Sequence, residues 1–271
     1  TDIDGDFSTA IGFACLENQE SDGANQAVYN TALGAYSGNG LTTGIKNTLL
    51  GGFAGGGSAV TGDNNTAVGY TAGYALTSGA ENCVFGALAG DAITSGGENC
   101  LFGMGAGGAI QTSIRNTFIG DDAGNAVTTG DSNVGIGHIA MGAGTTTGDY
   151  NIAIGHYAGK ILSSGTRNTF MGAFAADAMN IGRYNTALGY EALTTDVDGD
   201  FSTALGYGTL AAQESDSANQ TVYNTAVGAY AGANLTTGIY NTFVGGLSAQ
   251  AGAITGDSNV AVGYNAGNAL T

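Results

Sequence analysis

The 271-residue sequence has no proline and no tryptophan, only five lysines and arginines together, three cysteines and two histidines. Each shortage removes a class of protein. Gly numbers 50, but without Pro or a Gly-X-Y period this is not collagen. Five cations against 22 acidic residues leave a net charge of −17. That excludes nucleic acid as a partner, because phosphate binding needs basic residues. The acidity instead suits solubility, repulsion between like fibres and attraction of divalent cations. Three cysteines form no disulfide framework. No apolar run approaches the ~20 residues of a membrane-spanning helix. There is no signal peptide and no initiator Met. The chain starts and stops in mid-pattern, so the expectation is a piece of something longer.

What the chain has is repetition. At 43% hydrophobic it is too apolar for a solvated tail. An Asn opens each repeat, at Asn30, Asn47, Asn65, Asn82, Asn99, Asn116, Asn133, Asn151, Asn168, Asn185, Asn224, Asn241 and Asn259. Ser8 and Ser202 take its place in two further units. The steps are 17 or 18 residues, except for two of 22. A longer period lies over this one: TDIDGDFSTAIGF at 1–13 returns as TDVDGDFSTALGY at 195–207, a shift of 194. A period just under 20 residues is shorter than most leucine-rich repeats and far shorter than helical ones. It suits one turn of a parallel β-solenoid.

Numbering each rung from its Asn, positions two to four form a short β-prone run and position five is Gly almost without exception. Position four is apolar (Leu33, Leu50, Val68, Phe85, Phe102, Ile119, Ile136). Position two is small or β-branched (Thr31, Thr48, Thr66, Cys83, Cys100). These alternate positions share one face and are expected to fill the coil. Position three faces the other way and is apolar too (Ala32, Leu49, Ala67, Val84, Leu101, Phe118). A strand apolar on both faces is normally covered on both. A second copy of the chain supplies that cover, most simply in a trimer; the alternative is a single coil with an exposed Ala stripe. A second apolar residue (Leu41, Leu76, Ile93) before a Thr-Thr-Gly-type turn predicts a second short strand per rung. The opening Asn residues should stack into an amide ladder of the kind found in cross-β assemblies.

Few residues point to chemistry. Asp2, Asp4 and Asp6 recur as Asp196, Asp198 and Asp200. Alternating carboxylates beside a Gly turn suit Ca2+, although the spacing is not that of an EF-hand; a solvated acidic turn is the plainer reading. The two 22-residue steps carry QESD, as Gln19, Glu20, Ser21 and Asp22 and again as Gln213, Glu214, Ser215 and Asp216. A retained loop on a rigid scaffold is where binding tends to sit, so these are candidate contact residues. His138 and His156 fall in consecutive rungs, too few ligands for a good zinc site. Cys83 and Cys100 stack in register as thiols filling the coil. The residue before each Asn is often charged or aromatic (Lys46, Glu81, Glu98, Arg115, Arg167, Tyr29, Tyr150, Tyr184, Tyr223, Tyr240). Glu98 and Arg115 are placed to pair, and the Tyr rings either stack on a sugar or pack between chains. No catalytic set stands out.

The Asn-Thr-Ala-Val-Gly units resemble the head repeats of YadA-like trimeric autotransporter adhesins. They are closer to the Gly-rich Asn-Thr-Ala-hydrophobic-Gly repeats of bacteriophage tail-fibre proteins. The resemblance covers essentially the whole chain and implies a trimeric, left-handed parallel β-roll that is surface-exposed and non-enzymatic. The sequence departs from the adhesin pattern in its longer rung and its lack of a heptad stalk or membrane anchor. It also lacks the C-terminal chaperone domain of tail fibres.

The expectation is thus an all-β parallel β-solenoid (β-roll) of 17–18-residue rungs, with two short strands per rung, as a side-by-side homotrimer. It runs as one continuous solenoid of about fifteen rungs over 1–271, with a super-repeat at 1–194, a partial second copy at 195–271 and insertion loops at 17–28 and 211–222. At ~4.8 Å per rung, fifteen rungs span roughly 70 Å. The leading function is a structural segment of an extracellular, cell-surface or virion fibre, non-catalytic, whose partner is itself, laterally and end to end. The second is an adhesin or fibre tip binding a glycan or receptor through the insertion loops. An ice-binding face is disfavoured because Thr42–Thr43, Thr128–Thr129 and Thr236–Thr237 are adjacent and face opposite ways.

Overall fold

A computed structural model describes residues 5–20, 26–57, 59–215, 217, 220–250 and 252–271. Among them the fold is all-β, a parallel β-solenoid with rungs of about 17 residues and no helix. The chain divides into two compact units, Thr1–Ser132 and Asn133–Thr271. The division falls at the start of a rung and not at the junction of the super-repeats.

In the first unit the three-residue strands are Thr9–Ile11, Thr31–Leu33, Thr48–Leu50, Thr66–Val68, Cys83–Phe85, Cys100–Phe102 and Thr117–Ile119, and Gly5–Asp6 pairs in parallel with Gln26–Ala27 in a separate two-stranded sheet. Each three-residue strand pairs in parallel with the next at identical rung positions: Thr66 with Cys83, Ala67 with Val84, Val68 with Phe85. In the second unit the strands are Val134–Ile136, Ile152–Ile154, Thr169–Met171, Thr186–Leu188, Thr203–Leu205, Thr225–Val227, Thr242–Val244 and Val260–Val262. They follow the same register.

The three-residue strands stop because position five turns a corner that only Gly can turn. Gly86 has φ +142, and a Cβ there would lie 2.1 Å from the Gly103 carbonyl oxygen. A second corner falls on the residue before each Asn, and here the left-handed conformation is taken by ordinary residues: Lys46, Glu81, Glu98 and Arg115 have φ between 58 and 61. Each such residue costs roughly 1–2 kcal/mol, which the bonded stack on either side must offset.

The expected second strand is reduced to single bridges, Leu41 with Val60 in the first unit and Leu235 with Ile254 in the second. Inter-rung bonds do form beside it, Thr77 N–H to Thr94 O at 2.9 Å and Thr94 N–H to Gln111 O at 2.9 Å. The Thr-Ser-Gly or Thr-Thr-Gly turn that follows at once leaves no room for a longer ladder.

The assignment of strand faces is also corrected. Position three fills the coil: Ala32, Leu49, Ala67, Val84, Leu101 and Phe118 are at most 2% exposed, and Ala153, Phe170, Ala187, Ala204, Ala226 and Phe243 are fully buried. Positions two and four point outward, with Leu33 at 48%, Ile119 at 40%, Met171 at 40% and Leu188 at 39% exposure. The strand is apolar on both faces, as the sequence indicated, but the outer stripe is the aliphatic position four. The interior is completed by a small residue at position eight (Ala54, Ala72, Ala89, Ala106) and the apolar residue at position twelve (Leu41, Leu76, Ile93, Ile110), all buried.

The coil is too narrow for large residues everywhere, and volume is shared between neighbours. Position nine is Gly beside a large ring: a Cβ on Gly124 would sit 2.4 Å from the Phe118 ring. It is a buried Met or Leu (Met141, Leu193, Leu210) where position three is Gly135, Ala187 or Ala204. In those rungs large and small residues share the space at native-like density, whereas Ala32, Ala67, Ala153 and Ala226 are each matched with Gly at position nine.

Candidate functional site

The most ordered polar feature is a buried column of asparagines. In the first unit Asn47 N–H donates to Asn30 Oδ1 at 2.8 Å, Asn65 N–H to Asn47 Oδ1 at 2.9 Å, and so on to Asn116 on Asn99 at 3.0 Å. Each Nδ2 also closes its own rung, as Asn82 does on Gly96 O at 2.9 Å. In the second unit Asn151 on Asn133, Asn185 on Asn168, Asn241 on Asn224 and Asn259 on Asn241 repeat the pattern at 2.8–2.9 Å. The predicted ladder is present, and all but the half-buried Asn259 are sealed from solvent. Buried amides with every group paired stiffen a core; one broken pair costs about 1–3 kcal/mol.

Serine at Ser202 is too short to close its rung, and the inserted Gln213 supplies the missing amide. Gln213 Nε2 donates to Ser202 Oγ at 2.9 Å and to Asp196 Oδ2 at 2.6 Å. Its Oε1 accepts from Asn224 Nδ2 at 3.0 Å. The other copy does the same: Gln19 Nε2 donates to Ser8 Oγ at 3.0 Å, and Gln19 Oε1 accepts from Asn30 Nδ2 at 3.0 Å. Gln19 and Gln213 were expected on a contact loop; they are buried and splice the ladder. Glu20 and Glu214 are exposed, Ser215 is half-buried, and Ser21, Asp22 and Asp216 lie outside the described residues.

The DVDGD turn belongs to the same splice. Asp196 is fully buried; its Oδ1 accepts from Gly199 N–H at 3.0 Å. Burial pushes its carboxyl above the usual carboxylate range, against the pull of hydrogen bonds from Gln213, Gly199, Asp198 and Ser215. Asp200 takes Arg183 N–H at 2.7 Å on Oδ1 and Arg183 Nη2 at 3.0 Å on Oδ2. Asp198 is half-buried between them. Asp196 and Asp200 are thus engaged by donors of the chain itself. Among the described residues no three His, Cys, Asp or Glu side chains are grouped to hold a metal ion. Asp2, Asp4 and the side chain of Asp6 lie outside the described residues.

The surface carries aromatic ladders. In the second unit Tyr184, Phe201, Tyr223 and Tyr240 stack at centroid spacings of 4.8, 4.9 and 6.0 Å, all within 23° of parallel. Arg167 lies between Tyr150 and Tyr184, 5.5 and 5.6 Å from their rings. These residues precede the Asn or Ser that opens each rung, and all of them but Phe201 were among the candidates from the sequence. A second ladder at the following corner, Phe174, Tyr190, Tyr207 and Tyr230, with one stacked pair between two edge-on ones, was not singled out from the sequence. In the Tyr184–Tyr240 column the stacked rings cover each other's faces, so there only the terminal faces and the outer edges meet solvent. The interior of that column is therefore a poor platform for stacking a sugar.

His138 and His156 are near-parallel imidazoles 5.3 Å apart, with Tyr157 4.0 Å from His156. Arg115 turns Nε to Ser132 Oγ at 3.4 Å rather than to Glu98. Cys83 and Cys100 are free, in register and half-buried on the outer strand face, not inside the coil. A shallow notch of about 300 Å³, at the lower limit of ligand pockets, is lined by Leu88, Asp91, Gly105, Gly108, Asp122 and Asn125. No protein-family model, curated protein or solved structure matches the chain.

Proposed function

We propose that the chain is a structural segment of an extracellular or virion fibre that works as a side-by-side homotrimer. Its action is passive: hydrogen-bonded rungs, a sealed amide column and interchain burial resist bending and proteolysis. The observation that carries this reading is the outward aliphatic stripe at position four. Leu33 and Ile119 in the first unit and Met171, Leu188 and Leu205 in the second are each 39–48% exposed on the outer face of their parallel strands. Such strands are ordinarily covered on both faces, and a second copy of the same chain presents a matching stripe at the same rung spacing. The resemblance to fibre and adhesin repeats points the same way.

Light scattering of the purified protein tests the proposal. A solution mass three times 26.6 kDa is the expected result. A stable particle of 26.6 kDa would sink the trimer. Repeating the measurement in EDTA tests calcium at the acidic turns: loss of the large mass would bring it back as a ligand. The adhesin reading rests on the exposed ends of the aromatic ladders and on Glu20 and Glu214, and a glycan-binding screen separates it from a spacer.

A further inference from the structure

Two consecutive rungs of the first unit depart together from the repeat. Where the column at position two holds Thr in Thr31, Thr48, Thr66 and Thr117, these rungs hold Cys83 and Cys100. Where position four is aliphatic in its neighbours, they hold Phe85 and Phe102. The register pairs Cys83 directly with Cys100 and Phe85 with Phe102. The two rings stack at 4.8 Å and 5°, two residues along from the thiols on the same strand face.

The spacing decides what two such thiols can do. Parallel strands hold paired residues ~4.8 Å apart. A disulfide needs its Cβ atoms at about 3.5–4.5 Å and its sulfurs at about 2.05 Å, which would draw two in-register rungs together against the ladder on either side. Two metal–thiolate bonds of ~2.3 Å placed end to end span roughly 4.6 Å, close to the spacing the ladder imposes. Soft thiolates select Cu(I) among common biological ions. We propose that Cys83 and Cys100 form a two-coordinate site for a soft monovalent cation such as Cu(I), bridging adjacent rungs beside the Phe85–Phe102 stack.

The chemistry balances without a redox step. Two S–H bonds break, two sulfur–metal bonds form, and both protons pass to water, leaving one net negative charge on the bridged pair. Burial first, and then repulsion from the Cys100 thiolate, pushes Cys83 above the usual thiol range; a cation between the two sulfurs removes that repulsion. Because two protons leave per ion bound, affinity should rise by up to about a hundredfold per pH unit below the thiol pKa values. Both ligands belong to one chain, so the donor set is complete without a second copy, although it lies on the outer strand face that the oligomer proposed above would cover.

The test is a titration of the full chain with Cu(I) from a buffered complex, under anaerobic reducing conditions. Native mass spectrometry reports the stoichiometry and a chromophoric chelator competes for the ion. Cys83→Thr and Cys100→Thr place in the column the residue that its neighbours already use, so both variants should fold, which circular dichroism checks. Cys15, a free thiol in another rung, serves as control through Cys15→Ser. The expected result is one tightly held ion per chain, affinity at least a hundredfold weaker in either Thr variant, and no change in Cys15→Ser. Equal affinity in the wild type and Cys83→Thr overturns the proposal. So does a wild-type protein that closes a Cys83–Cys100 disulfide in air and takes up no ion when reduced.

Discussion

Gln213 shows how much one side chain can hold together. Three polar groups depend on it: Ser202 Oγ, Asp196 Oδ2 and Asn224 Nδ2. Gln213→Ala should cost about 2–4 kcal/mol through buried groups left unpaired. The loss should appear as faster hydrogen exchange at the Asn224 and Asn241 amides, with the first unit unaffected. Asp196 adds a pH dependence. Its folded pKa is raised by burial, so the native state holds the proton longer than the unfolded chain does. The stability this group contributes is present below the ordinary carboxylate pKa and is lost as pH rises through the raised value. Thermal unfolding of the wild type relative to Asp196→Asn should therefore worsen across that window and then level off; a flat difference would refute the shift. Backbone conformation sets a third test. Gly103 has φ +140 and its added Cβ would meet Gly120 O at 2.2 Å, so Gly103→Ala should lose more than ~2 kcal/mol. Glu98→Gly, at φ 58, relieves the left-handed strain of a residue already accommodated and should change stability by less than about 1 kcal/mol. Urea midpoints of the two variants give the comparison directly.

At the scale of a rung, the stack depends on its amide column, and the column is testable at its centre. Asn99 donates its N–H and Nδ2 to Asn82 Oδ1 at 3.2 and 3.0 Å, and its Nδ2 to Ser113 O at 2.9 Å. It also accepts from Asn116 N–H at 3.0 Å. Asn99→Ala removes the side-chain bonds from a site 1% exposed and should cost about 3 kcal/mol. Limited proteolysis should then cut within the rungs on either side first. The column and the strand register were legible in the sequence, because an Asn that recurs at nearly every 17 or 18 residues admits one stacking. The inward face was not. Both faces of each strand are apolar, and the outer one, at position four, is the more uniform. The inner residue runs from Gly135 to Phe118, and only the complementary choice at position nine, Met141 against Gly124, reveals that the two share one space. Gln19 and Gln213 were misread for a related reason: a polar residue in an insertion looks solvent-facing unless the Ser it completes, eleven residues earlier, is recognised as a gap in the column. The second strand failed because one apolar residue before a Gly turn is enough for a bridge but not for a ladder.

For the molecule as a whole, charge and apolar surface oppose each other, and salt tests which would govern the proposed assembly. Each chain carries a net charge of −17 with only five Lys and Arg, so bringing copies together concentrates negative charge. Ion pairing cannot offset this with so few cations. Burial of the position-four stripe can, at roughly 25 cal/mol per Å² of apolar surface removed from water. Screening lengths fall from about 30 Å at 0.01 M salt to about 8 Å at 0.15 M, so added salt weakens the repulsion and leaves the apolar gain intact. The oligomer should therefore tighten as sodium chloride rises over that range, as read by the concentration at which sedimentation mass halves between assembled and single-chain values. Assembly through Lys or Arg contacts would weaken instead. Leu188→Asp combined with Leu205→Asp, both on the outer face at 39% exposure, should abolish the large species. Because the coil behind them is filled by Ala187 and Ala204, fully buried and unchanged, the rungs themselves should keep their β circular dichroism. Loss of the fold along with the mass would mean the stripe is needed within the chain, and the apolar face would then be a requirement of the single coil rather than the seam between copies.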